Sequence, residues 1–97
     1  MNIEIAWSSI ERLATELQGR EPSWQVQVDT HKGLRELLIG IPSVGACTIS
    51  LSSEGALYTR AFDEKGDLFF NGQSIQSESD LAEAVDKAIE ACRAGRS

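Results

Sequence analysis

The chain reads as one α+β domain: an antiparallel β-meander of five or six strands, flanked by an N-terminal and a C-terminal helix. Three observations predict this class. Apolar residues recur at steps of three and four near each end of the chain, which is the period of one helix face. Through the middle they alternate with polar residues, the period of a half-buried strand. Gly, Pro, Asn and Asp interrupt that middle region at short intervals, as hairpin turns require.

The first helix is expected over about residues 2–18. Ile3, Trp7, Ile10, Ala14 and Leu17 form one stripe, and Leu13 widens it. Trp7 and Ile10 are expected core residues. Asn2 suits the N-cap, and Gly19 suits the position past the end. Ser8 and Glu11 offer a capping box for a shorter helix, but the stripe runs unbroken through Ser8. Pro22 blocks continuation.

Strands are expected at about 23–29, 34–41, 46–52, 56–62 and 67–70, with a short sixth at 73–76. Trp24, Val26 and Val28 alternate with Gln25 and Gln27; Leu37, Ile39 and Ile41 follow; Cys47, Ile49 and Leu51 alternate with Thr48, Ser50 and Ser52. Ser53-Glu54-Gly55 suits a three-residue loop with Gly in the left-handed position, a type I turn closed by a G1 bulge. That loop sets Leu51 opposite Leu57, Ile49 opposite Thr59 and Cys47 opposite Ala61. It sends Tyr58, Arg60 and Phe62 to the other face. A two-residue loop would turn Arg60 into the core, at a high desolvation cost. Asp63 to Gly66 makes the next turn, and Asn71-Gly72 is a hairpin signal. The last helix is expected over about 79–93, capped by Ser77 with Asp80 or by Ser79. Its stripe is Leu81, Val85, Ala88 and Cys92, and residues 94–97 form a frayed tail.

Bulk properties narrow the function. The 97 residues make a single domain, with 41% hydrophobic and 25% charged residues. Nine basic and fifteen acidic residues leave a net charge of −6, which disfavours phosphate backbones and anionic membrane surfaces. No apolar run approaches the ~20 residues of a membrane helix. The N-terminus lacks the basic start of a signal peptide. Two cysteines, Cys47 and Cys92, make neither a disulfide framework nor a metal spacing, and read as reduced buried thiols of a cytoplasmic protein.

No residue group forms a catalytic or cofactor signature. His31 and Asp29 sit at a hairpin turn with no further partner. Asp63, Glu64 and Asp67 lack the alternate spacing and closing Glu of a calcium loop. The cysteines lie on core faces, away from any base. Ser8, Ser9, Ser52, Ser53 and Ser77 read as caps and turns. The glycines fall about one per turn, with no phosphate-binding cluster. No catalytic residue, metal site or cofactor is expected. In order of elements the chain resembles the double-stranded-RNA-binding domain, but Glu78, Asp80 and Glu83 stand where that family needs lysines.

Two surfaces remain as candidates. Tyr58, Arg60 and Phe62, with Leu68 and Phe70 of the apolar run Leu68-Phe69-Phe70, would form an interface if both helices covered the opposite face; one helix on each face would bury them as a second core layer. Tyr, Phe and Arg are enriched at interface hot spots or cores. Glu83, Asp86 and Glu90 form an acidic edge on the last helix, where Glu83 with Lys87 is an ordinary i,i+4 pair. The expectation is a non-enzymatic protein-binding module of the adaptor, inhibitor, immunity or secretion-chaperone kind, whose partner is another protein or a second copy, not nucleic acid or membrane. Its rivals are a small-ligand or enzymatic domain with a site shared across a dimer, and an acidic nucleic-acid mimic.

Overall fold

The computed structural model describes residues 3–31, 33–63 and 65–96, and of Ile3, His31, Leu68 and Arg96 only the backbone. Its elements are α1 (Ile3–Arg20), β1 (Gln25–His31), β2 (Leu34–Ile41), β3 (Gly45–Ser52), β4 (Ala56–Asp63), β5 (Gly66–Ser74) and α2 (Glu78–Arg96). The five strands form one antiparallel sheet in the order of the chain. The proposed Asn2 cap, Lys32, and Glu64 of the expected Asp63–Gly66 turn lie outside the described residues.

Both helices lie on the same face of this sheet. Helix α1 packs on β1 and β2, α2 packs on β3, β4 and β5, and the helices touch each other. Between the layers sit Leu37, Ile39, Cys47, Ile49, Leu51, Leu57 and Ala61 from the sheet, with Ala6, Ile10 and Leu17 from α1 and Leu81, Val85, Ala88 and Cys92 from α2. These are the alternate strand positions and the three–four helix positions, so one apolar layer closes over the other.

The turn chemistry fixes the register. Gly55 has a φ of 90°, which only glycine adopts without strain. Its N–H donates to the Ser52 carbonyl at 3.1 Å, and the Ser52 hydroxyl accepts from the Glu54 and Ala56 amides. Leu51 therefore faces Leu57, Ile49 faces Thr59 and Cys47 faces Ala61. At Gly45 the requirement is space, since a side chain there would run into the Phe62 carbonyl oxygen.

Several details depart from the sequence reading. Helix α1 continues through Gly19 to Arg20, and α2 runs on to Arg96, through most of the expected 94–97 tail. Asp29 and His31, expected at a hairpin turn, are paired residues of β1, opposite Glu36 and Leu34. Trp7 is only half-buried: the Arg35 guanidinium lies 5.0 Å from its ring, and Arg35 Nη1 donates to the Trp7 carbonyl. An arginine thus supplies part of the cover expected from the core. Asn71-Gly72 makes no turn. It lies inside β5, where Gly72 faces Tyr58, and the Tyr58 ring packs over it, 3.4 Å from where a Cβ would stand. The stretch expected as a sixth strand begins as the end of β5. Cross-strand pairing has overridden a local turn preference.

Ser77 and Asp80 start α2 as the capping signal implied. Asp80 Oδ2 accepts from the Ser77 amide at 3.1 Å and from the Gln76 amide at 2.6 Å. Glu78 in the first turn also accepts from Arg12 of α1 at 3.2 Å, which ties the two helices at the surface.

Candidate functional site

With both helices on one side, the other face of the sheet has no covering layer among the described residues. Register divides it into cross-strand rows. One row reads Gln25, Gly40, Ala46, Phe62, Asp67; the next Gln27, Leu38, Thr48, Arg60, Phe70; the next Asp29, Glu36, Ser50, Tyr58, Gly72. Four of the five expected interface residues, Tyr58, Arg60, Phe62 and Phe70, thus share this face. Leu68 is the unpaired residue of a bulge between Ala61–Phe69 and Phe62–Asp67, and its side chain lies outside the described residues. Phe69 packs toward the helices, against the core.

The bulky side chains of this face stand together on β4 and β5. Tyr58 is 45% exposed and Phe70 66% exposed. Their rings stack at 6.4 Å between centroids with 22° between planes. They are diagonal neighbours on adjacent strands, a position from which aromatic rings reach each other. Arg60 lies between rows of aromatics: its guanidinium is 5.9 Å from the Phe62 ring. It donates from Nε to Asp67 Oδ1 at 2.7 Å and from Nη2 to Asp67 Oδ2 at 2.9 Å. This two-point pairing raises the pKa of Arg60 and lowers that of Asp67, through the hydrogen bonds first and charge attraction as well. The pair is solvent-exposed and adds little to stability. What it does is fix the orientation of the guanidinium by two parallel hydrogen bonds.

The opposite half of the face is low. A shallow hollow is floored by Gly40, Ala46 and Thr48 and walled by Gln25, Gln27, Leu38 and Phe62. Beside it Glu36 accepts from the Ser50 hydroxyl at 2.8 Å. The sequence reading missed this half because its residues are small or polar and carry no hot-spot signature. The alternate positions of β2 and β3 would have located them. It also missed Asp67, read as a turn acid and now the partner of Arg60.

The second candidate is dispersed. Glu83, Asp86 and Glu90 are exposed on α2. Asp86 and Glu90 border a cleft that also holds Arg20, Trp24 and Arg93, and Arg93 sits 5.5 Å from the Trp24 ring. Charge there is mixed, not a row of carboxylates. The thiols of Cys47 and Cys92 are buried side by side. Cys92 Sγ donates to the Ala46 carbonyl at 3.2 Å. Burial, with Cys92 adjacent, pushes the Cys47 thiol up to about 12, which is opposite to what a nucleophile needs. Asp63 Oδ1 accepts from the Lys65 amide at 2.8 Å, a turn contact. The side chain of His31 lies outside the described residues. Among the described residues no helix is long and apolar enough to cross a membrane.

The class defined so far is a two-layer α+β domain with helices on one face and an uncovered sheet on the other. A comparison with protein-family models, with curated proteins and with solved structures finds no match.

Proposed function

We propose that this chain is a non-enzymatic protein-binding module that acts through the open face of its sheet. One observation carries the reading: both helices lie on the Cys47–Ile49–Leu51 side, which leaves the stacked pair Tyr58–Phe70 facing solvent beside Arg60. A small domain gains stability by burying such rings, and aromatic groups left exposed together mark contact surfaces. Tyr and Arg, the residue types that carry most binding energy at interfaces, stand at its centre. An open sheet face with only a shallow hollow also suits another folded surface better than it suits a small molecule, which needs a deep concave site.

The experiment is affinity capture by the wild-type chain and by a Tyr58→Ser, Phe70→Ser variant, in parallel from the same extract. Proteins retained by the first and lost by the second, with the variant folded by circular dichroism, support the reading. Identical sets from the two baits overturn it.

A further inference from the structure

We propose that the open face binds the same face of a second copy, giving a four-layer helix–sheet–sheet–helix dimer. This rests on the function proposed above and commits its surface to one occupant.

The shape of the face argues for self-pairing. Its aromatic bulk stands on β4 and β5, which carry Phe62, Arg60, Tyr58 and Phe70, and its hollow lies mainly over β1 to β3, with Phe62 and Leu38 at its border. A two-fold axis running along β3 lays β4 over the partner's β2 and β5 over the partner's β1. The rows then coincide. Phe62 meets the partner's Gly40, Arg60 meets the partner's Leu38 and Phe70 meets the partner's Gln27. Each ridge enters the opposing hollow, and the two contacts are identical, as an isologous interface requires. Packing of two sheets with their strands nearly aligned is the usual sandwich arrangement.

Charge removes the main objection. Each copy carries −6, but the acidic side chains in these three rows are only Asp29, Glu36 and Asp67, and Arg60 already neutralises Asp67. Glu11, Glu78, Glu83, Asp86 and Glu90 belong to the helix layer. Facing sheets sit ~10 Å apart and each helix layer ~10 Å further out. The helical acids of the two copies are then roughly 30 Å apart, several screening lengths at physiological salt. A basic partner would be drawn to the helix layer instead, where the carboxylates are.

Area sets the strength. Five strands of seven to nine residues cover a rectangle of roughly 20 Å by 25 Å at the usual strand spacings. That is below the ~800 Å² per partner of a standard interface, so the dimer is weak and exchanges with monomer.

Sedimentation equilibrium of the purified chain tests this, with folding of each variant checked by circular dichroism. The wild-type mass is expected to climb toward twice the chain mass through the micromolar range. Phe70→Lys removes the ridge, and Leu38→Lys sets a charge against the partner's Arg60. Each is expected to need concentrations about tenfold higher or more to associate, Phe70→Lys because it loses an interface ring and Leu38→Lys because it brings like charges into contact. Leu38→Glu meets the same Arg60 with the opposite sign and is expected to retain most of the association. If Leu38→Lys does not fold, Thr48→Lys in the same hollow takes its place. A wild-type chain monomeric throughout overturns the dimer, as does association untouched by Phe70→Lys and the hollow variant, or equal loss with Leu38→Lys and Leu38→Glu. A monomer whose Phe70→Lys variant still loses a captured protein sinks the dimer alone and leaves the binding-module reading standing.

Discussion

Asp67 precedes Phe70 by three residues, yet both side chains lie on the same face of the sheet. In a regular strand an odd separation puts two residues on opposite faces. Here the bulge at Leu68 adds one position, so Asp67 pairs across from Phe62 while Phe70 pairs across from Arg60. Re-aiming a side chain in this way is what a bulge in a strand does. It is what brings a carboxylate within reach of both donating nitrogens of Arg60.

The pairing has a titration signature. Arg60 holds the Asp67 carboxyl below its ordinary value. A group depressed in the fold contributes stability that is present above its unfolded pKa and is lost as pH falls through the folded one. The side chains are 54% exposed, so solvent screens the pair and the contribution is small. The measurable quantity is the carboxyl resonance itself: Asp67 should titrate at lower pH than an unpaired aspartate, and Arg60→Gln should return it to the ordinary range. An Asp67 titration indifferent to Arg60→Gln would contradict the pairing.

The buried thiols give a dependence in the alkaline range. Cys47 is raised from 9.0 to about 12, first by burial and then by its neighbour Cys92; Cys92 is raised as well, chiefly by burial. A group raised in the fold contributes stability that is complete below its unfolded pKa and is lost as pH rises toward the folded one. Urea midpoints should therefore be insensitive to these thiols below pH 9 and fall between about 9 and 12. A Cys47→Ala, Cys92→Ala variant should show less of that fall. In the native state neither thiol should react quickly with a thiol reagent near neutral pH, whereas both should in denaturant. Rapid labelling of the folded protein would place at least one sulfur at the surface.

Gln18 closes the exposed edge of β1. Its Nε2 donates to the Trp24 carbonyl at 2.7 Å and to the Glu21 carbonyl at 3.2 Å, and its Oε1 accepts from the Val26 amide at 3.3 Å. The side-chain amide thus stands in for part of a neighbouring strand, which protects an edge that could otherwise template pairing. Gln18→Ala should cost about 1–2 kcal/mol, the worth of one or two net hydrogen bonds with a partner left unpaired. Amide hydrogen exchange gives a sharper readout: Val26 should lose protection in the variant while Ile39 of β2 keeps its own. Equal protection at Val26 in both proteins would mean that the contact does not persist in solution.

How much of this was legible depends on whether the signal is local. The meander follows from period-two alternation, and the β3–β4 register follows from Ser53-Glu54-Gly55, because a glycine turn of fixed length leaves one pairing. Connection rules leave open the side on which two terminal helices dock, so the exposure of Tyr58 and Phe70 could be posed only as an alternative. Leu68-Phe69-Phe70 has no alternation to read, so the bulge inside it was invisible. Asn71-Gly72 misled because its turn preference is short-range, whereas the Tyr58 ring that packs over Gly72 comes from another strand. Trp7 misled in the same way: its place on the stripe was visible, but the Arg35 that covers it arrives from β2.

The two faces of β4 should answer substitution with opposite costs, and that contrast tests the whole arrangement. Leu57 and Ala61 are fully buried and Thr59 is 2% exposed, whereas Tyr58 is 45% exposed between them. Emptying a fully buried leucine removes transfer energy and leaves a cavity under α2, so Leu57→Ala should cost about 2–5 kcal/mol, a large fraction of the 5–15 kcal/mol typical of a domain. Tyr58→Ser gives up a half-exposed ring on an uncovered face and one stacking contact with Phe70, so it should cost about 1 kcal/mol or less. Ile10→Ala on α1 should fall with Leu57→Ala, since Ile10 is fully buried; Trp7→Ala should cost less than full burial would imply, because Arg35 covers only part of its ring. Urea denaturation of these four variants at a dilution where the chain is monomeric measures each value without a contribution from association. A Tyr58→Ser cost as large as that of Leu57→Ala would mean that something covers the second face in the monomer. The ridge would then be part of the core and not a surface for binding.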